Sequence, residues 1–245
     1  MNYKLRVLSK FVKTQALNPI KPLGLRERNK AKRRDAILDS VLRILRTSSI
    51  SDLSVERIAE LAKVSPATVY NLVGTRDALF IACIDRVIEN LAADLADVYS
   101  NDDPIAAALA IVETSTQAFI NNGDAFRQIL RAVNSASHSG QSLSMDPGLL
   151  QIRAMKMAQA QGFLSADVDA TALGRQVYLS YNGAMFAWSA GQLDNNGFLS
   201  AVRHGLWTAL AAAASEEHRP EFVQRMMKAS KQLSRAGYGQ SSKRN

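Results

Sequence analysis

Between about residues 30 and 46, apolar side chains recur at three- and four-residue spacing: Ile37, Leu38, Val41, Leu42, Ile44 and Leu45. That period makes one face of an α-helix, and the stripe is a core face. Two shorter helices follow. Val55, Ile58, Ala59 and Ala62 repeat the spacing behind Ser54, a good N-cap, with Glu56 in the first turn, where the helix dipole favours an acid. Ser65 and Pro66 then supply a hydroxyl cap and a proline preset for the first helical position. A fourth helix opens on Thr75, with Asp77 in its first turn. Its long apolar face runs from Leu79, Phe80 and Ile84 through Ile88, Leu91 and Leu95 to about residue 99.

The remaining helix starts are written alike. Asp103-Pro104 and Asp146-Pro147 each place an acidic cap before a first-turn proline, and Arg219-Pro220 is a weaker version. Asn121-Asn122-Gly123-Asp124 ends one helix and caps the next, Gly162-Phe163 resembles a glycine C-cap with its hydrophobic contact, and Asp194 to Gly197 separates the last long pair. These signals predict helices near 104–120, 124–134, 147–161, 168–191, 197–215 and 220–235, with a flexible connector over 135–144. No run alternates with period two between hairpin turns, so the predicted fold class is all-α.

Composition agrees. The 245 residues are 47% hydrophobic, enough for a core, and the lone cysteine, Cys83, excludes an internal disulfide. Its setting between Ala82 and Ile84 reads as helix packing. No apolar stretch approaches a membrane span, and the basic start lacks a signal-peptide apolar region, so a soluble, cytoplasmic protein is expected. The net charge of +8 is uneven: residues 1–34 carry +10, 219–245 carry +6 and the middle carries −8. Basic ends on an acidic body suit an arm lying along phosphates. Residues 1–24, broken by Asn18-Pro19 and Lys21-Pro22, read as a solvated extension, and Arg26 to Arg34 as a DNA-contacting stretch.

Two short helices joined by a tight turn, the second bearing Ala67, Thr68, Tyr70 and Asn71, form a helix-turn-helix, whose second helix can enter a major groove. The segment resembles the DNA-binding head of the TetR family of bacterial transcription regulators. The matching positions include Ser54, Ile58, Ala59, Ala62, Val64, Ser65, Thr68, Val69, Tyr70, Asp77, Ala78 and Leu79, with Arg76 where the family usually has lysine. Three positions depart. Lys63 occupies a turn position where glycine is common, at a left-handed cost of roughly 1 kcal/mol. Leu72 lacks the phosphate-touching ring found in many members, and Val73 replaces a usual phenylalanine.

On this reading Thr68 and Asn71 contact base edges, Pro66 and Ala67 allow close approach, Ser65 caps the recognition helix, and Ser54, Lys63, Tyr70 and Arg76 sit on phosphates. The resemblance also implies a larger helical domain for ligand binding and dimerisation, its last two long helices forming a bundle between subunits. Small residues such as Gly174, Gly183 and Gly205 allow close helix approach, and Val177, Ala184, Trp188, Val202, Leu206 and Leu210 are the expected interface. Phe119, Phe126, Met155, Tyr178, Tyr181, Asn182 and Met185 are the candidate lining of an effector cavity, suited to an apolar or aromatic small molecule.

Enzymatic chemistry finds no footing. His138, His204 and His218 lie far apart, with no HExxH, paired cysteines or glycine-rich phosphate loop. No catalytic residue, metal or cofactor is expected. The domains expected are a basic flexible arm (1–29), a helix-turn-helix domain (30–80), an effector and dimerisation domain (81–235) and a basic tail (236–245). The function expected is a ligand-responsive repressor, a homodimer released from a palindromic double-stranded DNA operator by a small effector. The runner-up is a DNA-organising protein without sequence preference or ligand control, and a third reading is an interaction protein whose head no longer binds DNA.

Overall fold

The structure, a computed structural model, describes residues 24–94, 102–135 and 143–236, and no β-strand occurs among them. Helix α1 spans Leu25–Thr47. It starts five residues before the predicted 30, because Arg26 to Arg34 is rich in good helix formers but carries no apolar stripe for periodicity to detect. The last residues of the expected arm are therefore helical, while residues 1–23 lie outside the described residues. The apolar stripe appears only at Ile37, and from there Ile37, Leu38, Val41, Ile44 and Leu45 are buried.

A 3₁₀ turn, Ile50–Asp52, closes with a reciprocal cap in which Ser49 N–H donates to Asp52 Oδ2 at 3.0 Å. Helix α2 (Val55–Ala62) starts on Ser54, whose Oγ accepts the Arg57 N–H at 3.2 Å. It ends on Lys63 at φ 54°, and Val64 N–H reaches back to the Ala59 carbonyl at 3.0 Å. Helix α3 (Pro66–Leu72) starts on Ser65, whose Oγ accepts from Thr68 N–H at 3.2 Å. Helix α4 (Arg76–Asp94) has Thr75 accepting from Ala78 N–H at 3.3 Å. The predicted extension to residue 99 passes outside the described residues. Cys83 is fully buried on α4, and that burial pushes its thiol up to about 12, which keeps it protonated and unreactive at neutral pH.

The larger unit contains α5 (Pro104–Ile120), α6 (Gly123–Ser135), α7 (Gly148–Ala160), α8 (Ala170–Ser189), α9 (Asn195–Ala213) and α10 (Arg219–Arg235). Asp103, Asp169 and Asp194 cap α5, α8 and α9 through backbone N–H groups. Gly162, at φ +81°, ends the turn after α7, where Phe163 N–H bonds to the Ala158 carbonyl at 2.9 Å. Asp146 departs from the expected cap. Helix α7 begins at Gly148; one Asp146 oxygen takes the Gly148 N–H at 2.9 Å, while both oxygens grip Arg175 of α8 at 2.7 and 2.8 Å. Most of the predicted connector, 136–142, lies outside the described residues; at its end Ser144 donates through N–H and Oγ to the buried Asp85 of α4.

Helices α8 and α9 pack against each other, α7 lies on α8 and α10 on α9. The α7–α8 approach is so close at Gly174 that a Cβ there would sit 2.5 Å from the Ile152 Cα, so only glycine fits. Helices α1 and α4 of the head meet α6 of the body, so the two units share one continuous core. No helix among the described residues is long and apolar enough to cross a membrane.

Candidate nucleic-acid interface and effector cavity

Helix α3 is seven residues long, roughly 10 Å at 1.5 Å per residue. Its inner face is Val69, fully buried, which pins the helix against α1. The spacing of three and four puts Ala67, Tyr70 and Asn71 together on the opposite side, where all three are exposed, Tyr70 by 57%. Ser65 and Pro66 are exposed at the N-terminal end beside them. Thr68 is half-buried, and its Oγ1 lies 2.8 Å from Ser65 Oγ, so its hydroxyl is shared with the cap.

The expected phosphate-contacting residues divide. Lys63 is exposed at the turn, and Ser54 is exposed with its hydroxyl engaged as a cap. Arg76 is exposed too, but its guanidinium donates to the Ile50 carbonyl and lies over the Phe80 ring at 5.8 Å. Those contacts give Arg76 an internal role in holding the 3₁₀ turn to α4. Along the first turns of α1, Arg26, Arg28, Lys30, Lys32 and Arg33 are exposed, a basic run continuous with the head.

Gln128 on α6, a residue the periodicity argument passed over, joins head to body. Its Nε2 donates to the Leu45 carbonyl at 2.8 Å and the Ser48 carbonyl at 3.1 Å, and its Oε1 accepts from Ile50 N–H at 2.7 Å. Nearby, Arg46 donates to Asn122 at the start of α6. The one sequence signal is a polar residue set between the buried Phe126 and Ile129.

A cavity opens between α4, α5, α7 and α8. Ile84, Val87, Ile88 and Leu91 of α4 form one wall; Ile111, Val112, Ser115 and Phe119 of α5 form another. Tyr178, Tyr181, Asn182 and Met185 of α8 face them, and Leu150 and Gln151 of α7, with Leu143 and Pro147 before it, complete the lining. The cavity volume is about 80 Å³, within about 620 Å³ of space between atoms once the open mouth is counted. Burial pushes the Tyr181 phenol above its ordinary pKa, against a smaller opposing effect of the Ser115 and Thr116 hydroxyls.

Five of the seven predicted lining residues therefore meet at the cavity. Phe126 and Met155 do not: Phe126 packs edge-on against Phe119 with centroids 5.0 Å apart, and Met155 is fully buried in the core. Periodicity marks a residue as inward-facing but cannot tell packed neighbours from empty space. Gln151, which the sequence analysis missed, is visible in hindsight as a lone amide within the apolar run Leu149 to Ile152.

No family model matches the chain. In sequence it is similar to the HTH-type transcriptional regulator BetI of Brucella melitensis biotypes 1 and 2, at 25% identity over 147 residues, covering 53% of this chain and 74% of the relative. In structure it is similar to SmeT, the repressor of the Stenotrophomonas maltophilia multidrug efflux pump SmeDEF, with a TM-score of 0.56 and 17% identity over 75% of this chain and 91% of that one. It is also similar to a TetR transcriptional regulator from Rhodococcus sp. RHA1, with a TM-score of 0.53 and 15% identity over 74% and 97% of the two chains. The chain has the TetR-family fold.

Within this TetR fold the expected interface set needs correction. Val177, Trp188, Val202, Leu206 and Leu210 are each at most 2% exposed in the single chain, so they have no surface left to offer a partner. Trp188 shows why: it stacks on Phe198 at 5.2 Å, lies under the Arg127 guanidinium at 4.5 Å, and donates from Nε1 to Asn195 at 2.9 Å. Ala184 is half-buried. The positions that α8 and α9 leave outside are others: Leu179, 54% exposed, and Gly183 on α8, with Thr208 and Ala212 on α9. A Cβ at Gly183 would meet nothing within 4 Å of this chain. The large apolar residues chosen from sequence are core because hydrophobicity alone ranks burial, not the partner that provides it.

Proposed function

We propose that this chain is a ligand-responsive transcription regulator that binds a palindromic double-stranded DNA operator as a homodimer and represses until a small effector releases it. The observation that carries the reading is α3: it exposes Pro66, Ala67, Tyr70 and Asn71 on one face while Val69 anchors the other. That is the arrangement a major groove admits. Asn71 is the strongest base-edge candidate, with Thr68 contributing its methyl or shared hydroxyl. Lys63, Tyr70 and the basic run of α1 supply backbone contacts. The first 29 residues act as a basic arm, 30–80 as the head, 81–235 as the effector and dimer domain, and 236–245 as a tail.

A head this small gains affinity by engaging two half-sites at once. The surface that supports pairing is the exposed side of α8 and α9 around Leu179 and Gly183. Release follows from α4, which forms a cavity wall at Ile84 to Leu91 and at its other end carries the head. A ligand preferring a shifted α4 respaces the two heads, and a coupling of roughly 1–3 kcal/mol lowers operator affinity about 5–150-fold. The protein works in the cytoplasm, with no cofactor and no catalytic role.

Selection of random duplex DNA against purified protein at physiological salt tests this. Recovery of an inverted repeat supports the reading. Binding that only fades with salt, without a recovered sequence, supports the DNA-organising alternative.

A further inference from the structure

The walls of the cavity are aliphatic and aromatic, yet two polar atoms in them are unmatched. Gln151 is only 2% exposed. Its Nε2 donates to the Ala108 carbonyl at 3.0 Å, and since a carbonyl only accepts, this fixes which end of the amide is which. The other end, Oε1, is buried with no hydrogen-bond partner among the described residues. The Tyr181 hydroxyl is buried too and makes no close hydrogen bond among the described residues, with only the Ser115 and Thr116 hydroxyls beside it. Its neighbours Ser115 and Thr116 have their own hydrogens committed to backbone carbonyls of α5, at 2.6 Å to Ile111 and 2.6 Å to Val112.

Folded proteins rarely leave a buried acceptor bare, because it has lost water and gained nothing. Here the two bare atoms belong to residues lining one cavity that has room for a guest. Among the described residues no Asp, Glu, Lys, Arg or His lines it, so an ionised guest would shed its hydration without a counter-charge from them.

Resting on the regulator reading above, we infer that the effector is a neutral, ring-sized apolar molecule bearing a hydroxyl, which donates to Gln151 Oε1 while Tyr181 donates to an oxygen of the same ligand. The apolar body displaces poorly held water from the aliphatic walls. The hydroxyl supplies selectivity, because an analogue without it leaves Gln151 Oε1 unpaired.

The test is calorimetric binding to the full-length protein in the absence of DNA, so a failure here and a failure to select an operator are separate results. The probes are two matched sets of alcohol, methyl ether and carboxylate: 4-propylphenol, 4-propylanisole and 4-propylbenzoate, then 2-naphthol, 2-methoxynaphthalene and 2-naphthoate. The expected result is that at least one alcohol binds, and binds at least tenfold tighter than its ether and its carboxylate. Gln151→Met should bring the alcohol-to-ether ratio towards one while ether binding persists. Tyr181→Phe should fold at least as stably as the parent, since a buried hydroxyl without a close partner costs stability, and should weaken alcohol binding. An ether or carboxylate that binds as tightly as its alcohol, or no binding by either set, overturns the proposal.

Discussion

The Ile50 backbone N–H donates to Oε1 of Gln128 at 2.7 Å, across 78 positions of sequence. With its Nε2 on the Leu45 and Ser48 carbonyls, this side chain completes the C-terminal end of α1 from the body side. One amide thereby ties the head to α6, independently of the covalent link through α4.

Replacing Gln128 by Ala leaves a half-buried N–H and two carbonyls without that partner. The expected loss is about 1–3 kcal/mol of stability, read as a lower urea midpoint with an unchanged slope. Operator affinity should fall further than the stability loss explains if the strut also aims the head. Equal operator affinity in the folded variant would confine Gln128 to a structural role.

Lys63 ends α2 in the left-handed region at φ 54°. Lys63→Gly removes the Cβ strain but gives the unfolded chain more freedom, so stability should rise by no more than about 1 kcal/mol. DNA affinity should drop, and the salt slope should lose about one unit with the phosphate contact. A slope that does not move would take Lys63 off the DNA.

Asn71 and Tyr70 are neighbours on one exposed face but have different expected roles. Asn71→Ala should relax base preference at one position per half-site, costing about 1–3 kcal/mol there. Tyr70→Phe should weaken binding to every sequence alike. Repeating the DNA selection with each variant separates them; an unaltered preference for Asn71→Ala would remove it from the base edge.

Leu179 is 54% exposed on α8, beside the open space at Gly183. A charge there is harmless in an isolated subunit but is desolvated in a closed interface. Leu179→Glu is expected to keep its helical spectrum and sediment as a monomer at concentrations where the parent is a dimer. A variant that stays dimeric would place the seam elsewhere.

Asp146 is held below the usual carboxylate range, first by hydrogen bonds from Arg175, with burial opposing and the Gly148 N–H assisting. Its folded value lies below the unfolded one, about 3.9, so its contribution is complete above that pH and disappears as pH falls through the folded value. The parent should therefore melt higher than Asp146→Asn at pH 6, and the gap should close as pH falls below about 4. A gap of constant size across that range would mean the ion pair does not contribute.

The helices were legible because each boundary has a local cause. Ser54, Ser65 and Thr75 cap what they were expected to cap, and Lys63 adopts the expected left-handed turn. Helical period, caps and breakers are properties of neighbours in sequence, so the sequence by itself determined an all-α chain with a helix-turn-helix near its start. It also marked the outward face of α3, since Val69 is the one large aliphatic side chain among residues 67 to 71. The start of α1 at Leu25 was hidden, because charged helix formers without a core face leave no periodic trace.

Tertiary structure decided everything that depends on what stands opposite a residue. Trp188 and Leu206 could have been seam or core from their sequence; packing within the chain made them core and left Leu179 outside. Phe119 and Phe126 are the same residue type on adjacent helices, yet only Phe119 borders the cavity. Gln128 and Gln151 were ordinary amides until the fold brought backbone groups to one and left an oxygen of the other bare. Burial by a distant neighbour, and the hydrogen bond it provides or withholds, arise only when segments far apart in the chain are brought together.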